Sequence, residues 1–329
     1  MRLISHPVLC NYYVTYRCNA SCGFCDIWEK PSPYVTLEQV EKNLLDLKEL
    51  GVKVIDFTGG EPLLHREIDQ LLMIAKRMGF ITTITTNGLL YHKWADRLKG
   101  KVDMLHFSLD SMDRAKHDKG RGVACYDFVM ESVDVALSLG ERPDILYTVF
   151  EENFKEIQDV YQFCQDKGLV LILNPAFDYQ GVQVESQFSE QQLSELTIWA
   201  KQPGVYLNEA FLKLRKDGGN HIIDPVCKAA SSTIVISPLD ELVLPCYHLG
   251  LEKIPIKGKL KELYRSRVVQ ELVKKEGTYS ECEGCTINCY MQSSFAVEMN
   301  KYWWSALPST IKYNRMKGTW KQMIRRSHV

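Results

Sequence analysis

Residues 11–25 have the sequence NYYVTYRCNASCGFC, a β-prone run followed at once by three cysteines. The aromatic and β-branched residues of 11–16 predict a strand. Cys18, Cys22 and Cys25 then fall in a loop at its carboxyl end, with C-x3-C-x2-C spacing. Three thiolates this close can bind three irons of a [4Fe–4S] cube and leave the fourth iron without a protein ligand. The alternative is a zinc knuckle, but zinc needs a fourth ligand nearby, and no histidine lies between residues 7 and 64.

Short β-rich segments alternate with helical ones through the first half of the chain. Apolar residues recur on one helical face in residues 36–50, and Thr36 with Gln39 forms a capping-box sequence at the start. Six segments have strand character: residues 11–16, 53–57, 81–86, 103–108, 144–149 and 169–173. Parallel strands need crossover helices, so this alternation predicts an α/β fold with a parallel sheet. Six units are fewer than the eight of a closed barrel, and we expect a partial (β/α)6 TIM-like barrel with its ligands at the carboxyl ends of the strands.

The pattern changes beyond the sixth predicted strand. The segment 180–202 is polar, and we place a domain boundary there. Further along, strand-like residues 232–238 and 242–244 flank a short turn, which predicts a hairpin. We therefore expect three parts: a partial barrel over residues 1–205, a small C-terminal domain over 206–295, and a tail over 296–329.

A second set of cysteines lies in the small C-terminal domain. It comprises Cys227, Cys246, Cys282, Cys285 and Cys289. Four thiolates would fully ligate one auxiliary [4Fe–4S] cluster, and two clusters would need about eight ligands. One of the five is then surplus, and the spacing leaves open which four bind. A structural zinc site using His248 is the alternative. The remaining cysteines, Cys10, Cys125 and Cys164, are predicted to be ordinary buried thiols.

The motifs of the first half resemble those of the radical S-adenosylmethionine (SAM) superfamily. The cysteine signature, with Phe24 as its aromatic residue, is that family's hallmark, and four further motifs follow in the family's order at the ends of successive predicted strands. These are Gly59-Gly60-Glu61-Pro62, Thr86-Asn87-Gly88, Ser108-Leu109-Asp110 and His117-Asp118-Lys-Gly-Arg121-Gly. The resemblance implies that SAM binds the open iron of the first cluster. It also implies SAM contacts from Phe24, Gly59, Gly60, Glu61, Pro62, Asn87, Ser108, Arg121 and, more loosely, Thr148 and Asn153.

The second cysteine set resembles the shortened SPASM, or twitch, domain, which carries one auxiliary cluster. Residues 59–65, 245–250 and 282–294 together resemble the adenosylhopane synthase branch of hopanoid biosynthesis. That resemblance implies an apolar, isoprenoid lipid substrate that undergoes radical addition or C–H functionalisation. The alternatives are peptide modification or alcohol oxidation, the usual reactions of SPASM and twitch enzymes. A non-enzymatic zinc or iron–sulfur protein is a further alternative. The implied protein partner is an electron donor of the flavodoxin or ferredoxin type.

Charge and compartment narrow the possibilities further. The 329 residues carry 40 Lys and Arg against 41 Asp and Glu, so the net charge of −1 argues against nucleic-acid binding driven by bulk charge. Residues 1–16 lack the apolar core of a signal peptide, and no stretch of about 18 apolar residues could cross a membrane. We therefore expect an oxygen-sensitive, cytoplasmic enzyme, because cysteine clusters in the reducing cytosol more often bind metal than form disulfides.

The C-terminal tail has two interpretations. After Glu298 it contains no acid, and basic residues alternate with tyrosine and tryptophan up to Arg326. This composition suits an anionic membrane surface, which would give a cytoplasmic enzyme that contacts membranes. The other interpretation is a helix that docks its aromatic residues on the barrel and leaves its charges in solvent. Pro308 and Gly318 are expected to interrupt any long helix here.

Overall fold

The computed structural model describes residues 1–179 and 188–318. Its strands are β1 (Leu9–Thr15), β2 (Val54–Gly59), β3 (Ile81–Thr86), β4 (Met104–Ser108), β5 (Asp144–Val149), β6 (Val170–Pro175), β7 (Val205–Tyr206), β8 (Thr233–Ile236), β9 (Glu241–Leu244) and β10 (Glu252–Pro255). Its helices are α1 (Leu37–Glu49), α2 (Ile68–Arg77), α3 (Tyr91–Leu98), α4 (Arg114–Arg121), α5 (Tyr126–Ser138), α6 (Ile157–Lys167), α7 (Glu190–Lys201), α8 (Glu209–Lys216), α9 (Ala229–Ser232), α10 (Leu260–Arg265), α11 (Arg267–Val273), α12 (Asn288–Val297) and α13 (Lys301–Lys317).

All ten strands belong to one sheet, in the order β10-β9-β8-β1-β2-β3-β4-β5-β6-β7. Strands β1 to β7 are parallel, and β8 adds to the free side of β1, also in parallel. Only β9 and β10 run antiparallel to their neighbours. The six predicted strands and the mostly parallel α/β fold are confirmed. The sheet is continuous across residue 205, and the division into domains stays a prediction.

Local sequence signals account for several element boundaries. Helix α1 begins with the predicted capping box, since the Thr36 hydroxyl accepts a hydrogen bond from the Gln39 backbone N–H and the Gln39 side chain accepts one from the Thr36 backbone N–H. The hairpin of β8 and β9 is also confirmed, with Ile236 opposite Leu242. Its turn places Asp240 at a φ of 59°, a left-handed conformation that aspartate tolerates better than most residues.

The two faces of the central strands differ in chemistry. Tyr12 and Phe57 lie on the face that α1 covers, where Asn43 of α1 donates a hydrogen bond to the Tyr12 hydroxyl. The opposite face, which we call the inner face, carries polar residues that stand side by side on neighbouring strands. They are Asn11, Asp56, Thr83, Thr85, His106 and Asp144. Helix α12 lies against this face, since Tyr290 hydrogen-bonds with Asn11.

The prediction that Pro308 interrupts the C-terminal helix is wrong. Helix α13 runs through Pro308 and ends at Gly318, which has a left-handed φ of 69°. Proline removes the hydrogen bond to the carbonyl of Trp304, but Trp304 is 59% exposed, so water can replace that bond. Packing compensates as well, because Tyr302 stacks on Phe295 of α12.

Helix α13 docks on the body of the protein, as the second interpretation of the tail predicted, but Lys312 and Lys317 are not left in solvent as it also predicted. Its Tyr313 hydroxyl and Lys317 ammonium donate to the two oxygens of Asp144, at 2.6 and 2.8 Å. Lys312 donates to the backbone carbonyls of Ala200 and Gln202. These two lysines therefore have internal partners and are not free to bind a membrane. Trp320, Lys321, Arg325 and Arg326 lie outside the described residues, within which no helix is both long and apolar enough to span a bilayer.

The docking of α13 gives a testable prediction. In Lys317→Met, the fully buried Asp144 loses its ammonium partner, and breaking a buried pair costs about 3 kcal/mol of unfolding free energy. The matched control is Lys274→Met, whose ion pair with Glu271 is exposed on both sides and should change stability by less than about 1 kcal/mol. Urea unfolding of both variants measures the difference. Equal losses would show that the Asp144 contact does not hold the helix.

Candidate functional site

The loop of Cys18, Cys22 and Cys25 lies beyond the carboxyl end of β1 and brings its three thiols together. Burial, with smaller contributions from the nearby Glu61, Cys22 and Cys25, raises the pKa of the Cys18 thiol to about 12. Such thiols ionise readily only when a cation neutralises them, which a metal cluster would do. No three His, Cys, Asp or Glu side chains of residues 1–179 and 188–318 converge on one point as ligands of a single metal ion would. The set suits a cube better than a zinc ion, since each thiolate binds a separate iron.

The end of α4 holds this loop in place. Ser21 and Gly23 donate backbone hydrogen bonds to the carbonyls of Arg121 and Gly120. Gly122 adopts a φ of 65°, and a Cβ there would lie 2.3 Å from the Ser21 carbonyl oxygen. The close approach therefore requires glycine. The Arg121 side chain also reaches the loop, because Cys22 is among the groups that raise its pKa.

The Gly59-Gly60 pair packs directly against the end of β1. A Cβ on Gly59 would lie 2.0 Å from the Thr15 carbonyl oxygen, and one on Gly60 would lie 2.3 Å from that of Arg17. The backbone of Gly60 and Glu61 donates to the same two carbonyls. Pro62 follows, buried, at the start of a short 3-10 turn. The glycines thus let the loop after β2 lie beside the cysteine loop.

Glu61 and Asn87 connect three loops. The buried Glu61 carboxylate accepts hydrogen bonds from the Thr86 hydroxyl and from the backbone of Leu63 and Asn87. Burial nevertheless raises the pKa of Glu61 to about 7. The Asn87 amide donates to the Asn19 side chain at 2.8 Å and lies 4.0 Å from the Cys18 sulfur. The interactions of Glu61 are therefore internal, while Asn87 touches the cysteine loop itself.

A cavity of about 530 Å³ opens beside the cysteine loop, and Phe24, Asp110 and Asn153 are among its lining residues. Its volume is in the range of small-molecule sites. Asp110 is the central group here: its carboxylate pairs with Arg121 at 2.6 Å and accepts a hydrogen bond from the Thr148 backbone at 2.9 Å. The Arg121 guanidinium lies over the Phe24 ring, and its Nε atom has no partner among the described residues.

Ser108 is buried at the carboxyl end of β4, two residues before Asp110. The structure thus brings Phe24, Arg121 and Thr148 together around one carboxylate. Asp110 belongs to the Ser108-Leu109-Asp110 motif of the sequence analysis, although no role was predicted for its carboxylate. Asn153, four residues beyond β5, also lies at this cavity.

Four of the five C-terminal cysteines gather at a second place. Cys285 raises the pKa of Cys227 and of Cys246, and Cys282 also raises that of Cys246, in each case after the larger effect of burial. Cys289 differs from these four, because the charged group that raises the pKa of its thiol is Asp56 on β2 and not another cysteine. Cys227, Cys246, Cys282 and Cys285 thus lie close enough to affect one another's thiols, and Cys289 is not among the groups that affect them. Cys10, Cys125 and Cys164 are buried, as predicted.

Asn220 organises the second set, and no motif in the sequence pointed to it. The side chain is fully buried; it accepts a hydrogen bond from the Cys227 backbone and donates to the carbonyls of Cys282 and Gly277. The Asn220 backbone pairs with Cys285 and Gly284. One residue thus fixes the backbone at three of the four cysteines.

A second cavity, of about 600 Å³, reaches the auxiliary cysteine set. Cys285, Arg215 and His248 are among the residues that line it. Arg215 donates to the carbonyls of Pro175 and Ala176 at the end of β6, and burial lowers the pKa of its guanidinium to about 10. His248 packs between Phe177 and Tyr179, and the Tyr179 hydroxyl donates to Asp26, the neighbour of Cys25. Aromatic side chains therefore connect the surroundings of the two cysteine sets.

Residues 12–164 match the family model of the Radical SAM superfamily. The chain is 33% identical over 178 residues to a probable GTP 3',8-cyclase of Methanocella arvoryzae, a match that covers 51% of this chain and 56% of that protein. It is 26% identical over 319 residues to AlbA of Bacillus subtilis, an antilisterial bacteriocin subtilosin biosynthesis protein, covering 85% of this chain and 67% of that protein. The matches thus span about half to two thirds of these relatives.

A solved structure shares the fold. Streptococcus suis SuiB bound to the precursor peptide SuiA superimposes with a TM-score of 0.67 at 18% identity, and the match covers 82% of this chain and 67% of SuiB.

The assignment of the auxiliary ligands is open to a direct test. Cys285→Ser should lower the iron content of anaerobically reconstituted protein from about eight atoms to about four, since one cube loses a ligand. Cys289→Ser should keep about eight, because Cys289 lies apart from the other four. Iron and sulfide counting distinguishes the two. The same loss in both variants would place Cys289 among the ligands.

The role of Asn220 gives a further prediction. Asn220→Ala leaves buried backbone groups at Cys227 and Cys282 without partners, each at a cost of about 1–3 kcal/mol. We expect the auxiliary iron to be lost and the first cluster to remain, so that about four irons are counted. The reference is Cys18→Ala/Cys22→Ala/Cys25→Ala, which removes the other cube. Full iron occupancy in Asn220→Ala would show that the four cysteines are positioned without it.

Proposed function

We propose that this radical SAM enzyme, whose residues 12–164 carry the superfamily match, modifies a peptide. The observation that carries the proposal is the extent of the match to AlbA. That match covers 85% of the chain and so extends well beyond residues 12–164. A probable GTP 3',8-cyclase of Sulfolobus acidocaldarius matches over 80% of the chain at 25% identity, which makes nucleotide cyclisation the second candidate. SuiB, whose fold is shared, is bound to a precursor peptide in its structure. These relatives support peptide modification over the lipid substrate that the sequence motifs had suggested.

The chemistry of the inner face also favours a peptide. Asp56, Thr85 and His106 lie on the inner face of neighbouring strands, opposite the face that α1 covers. An isoprenoid chain gains its binding free energy from apolar surface, and each polar group that it covered would lose its hydrogen bonds to water. A peptide brings its own donors and acceptors. Polar side chains at this face can therefore bind it and fix its orientation.

The first cofactor site would be formed by the loop after β1. Cys18, Cys22 and Cys25 would hold a [4Fe–4S] cluster, which with bound SAM supplies a 5'-deoxyadenosyl radical. The cavity of Phe24, Asp110 and Asn153 lies beside that loop and is the proposed place of the SAM nucleoside. Arg121 keeps an unpaired Nε–H there, which can donate to a carboxylate.

The remaining proposed SAM contacts lie on the neighbouring loops. Gly60 and Pro62 lie beside the end of β1, and Asn87 contacts the cysteine loop. Ser108 and Thr148 stand at the carboxyl ends of β4 and β5, close to Asp110. In this arrangement Glu61 positions Asn87 rather than touching SAM, because its hydrogen bonds are all internal.

The auxiliary cluster would be held by Cys227, Cys246, Cys282 and Cys285. The cavity that reaches Cys285 and His248 lies on the same side as Asp178 and Tyr179, which follow β6. A peptide entering here would pass the auxiliary set on its way to the inner face. A low-potential protein of the flavodoxin or ferredoxin type is the proposed source of electrons.

The substrate class can be tested by offering the enzyme whole classes of cellular molecules instead of a single compound. The reconstituted enzyme is incubated with SAM and dithionite together with a tryptic digest of soluble proteins from its source organism, its lipid extract, or GTP. We expect only the peptide fraction to raise the release of 5'-deoxyadenosine above background. The 5'-deoxyadenosyl radical forms this product when it abstracts a hydrogen atom from the substrate. Mass spectrometry then identifies the changed peptide.

The control for this experiment is Cys18→Ala/Cys22→Ala/Cys25→Ala, which should release no 5'-deoxyadenosine with any fraction. Turnover with GTP, or an adenosyl adduct formed with the lipid extract, would contradict the proposal and identify the substrate class instead.

A further inference from the structure

Asp56 is a carboxylate in the interior of the fold that has no cationic partner among the described residues. It lies in the middle of β2, between Asn11 of β1 and Thr83 of β3. The Thr83 hydroxyl donates to one of its oxygens, Oδ1. Burial raises the pKa of Asp56, which Thr83 and the charge of His106 partly oppose. A buried carboxylate is costly to ionise unless a positive group accompanies it.

The other inward carboxylate on this face is fully paired. Asp144 accepts hydrogen bonds from Tyr313 and Lys317, and His106 lies 3.5 Å from it. His106 is thus the base nearest to Asp56 along the sheet, and it already faces Asp144 and Thr85. Within residues 1–179 and 188–318, one of the two carboxylates therefore has an ammonium partner and the other has none.

An open space adjoins Asp56. Asp56 itself is partly exposed to solvent. Cys289 is exposed as well, and the Asp56 charge contributes to raising the pKa of its thiol. Cys289 also lies close to Tyr13 of β1 and belongs to α12, which covers the inner face. Residues in such a deep position can be accessible only if a cavity separates the sheet from the helix. Cys289 therefore marks a space that a ligand can enter beside Asp56.

We propose that Asp56 determines substrate specificity by binding a cationic side chain, that of lysine or arginine, in the space between the inner face and Cys289. The inference rests on the proposed function, because the lysine or arginine side chain would belong to the peptide substrate. An ammonium or guanidinium group would give Asp56 the partner that the fold omits, and the ion pair would form away from bulk water, where it is strong. Thr83 would hold the carboxylate in place while its free oxygen accepts the substrate.

The test uses Cys289 as a reporter in enzyme reconstituted with both clusters, in the absence of SAM. Modification of Cys289 by 2-aminoethyl methanethiosulfonate, a cation, is compared with modification by the neutral ethyl reagent, and mass spectrometry follows the peptide that contains Cys289. An ionised Asp56 concentrates cations locally, so we expect the cation to react about tenfold faster at low salt. Asp56→Asn keeps the Thr83 hydrogen bond and should bring the two rates together without changing that of the neutral reagent.

A matched control and a competition complete the experiment. Asp134→Asn removes a carboxylate from the surface and should leave the preference for the cation intact. Acetyl-Gly-Lys-Gly-amide should slow labelling by the neutral reagent more than acetyl-Gly-norleucine-Gly-amide does, and this difference should vanish in Asp56→Asn.

Three results would overturn the inference: no labelling of Cys289 by the neutral reagent, a cation preference that survives in Asp56→Asn, or equal protection by the two peptides. None of these measurements needs turnover. An enzyme that passes all of them but modifies no peptide would refute the proposed function alone.

Discussion

The close approach of the loop after β2 to the end of β1 is the contact on which the first site depends. It requires two residues without side chains, because a Cβ on Gly59 or Gly60 would overlap the backbone of Thr15 or Arg17. Glu61 then follows in a fixed place, and its carboxylate positions Asn87, which reaches the cysteine loop. A displacement of this backbone would therefore move three loops at once.

The second cysteine set is held in place by the hydrogen bonds of one buried side chain and not by close backbone packing. Its four cysteines come from separate segments, and one buried amide, Asn220, connects most of them through backbone hydrogen bonds. The segment that carries them also extends the sheet, since β8 pairs with β1. Both sets thus adjoin the same central strand, and the aromatic residues around His248 lie between them. This proximity fits an enzyme in which one substrate passes both sets.

The inner face shows how the same residue type can serve stability at one position and recognition at another. Asp144 is neutralised by α13, which attaches the C-terminal segment to the sheet. Asp56 stands three strands away with a hydroxyl as its only hydrogen-bond donor among the described residues and with open space beside it. The difference arises because α13 contacts the sheet at Asp144 of β5, whereas α12 lies against the inner face near Asn11 of β1.

The sequence by itself determined the six parallel strands, the capped helix α1, the β8–β9 hairpin and the first cysteine site, because each depends on residues close together in the chain. It also predicted most residues around the Arg121 cavity from motifs that end successive strands. It missed Asn220 and the pairing of Asp144 with α13, and it wrongly ended the last helix at Pro308. Only the tertiary structure separated Cys289 from the other four cysteines and showed Asp56 without a cationic partner in the part of the chain that it describes. Those outcomes depend on which segments meet in space, and the spacing of residues along a chain does not contain that information.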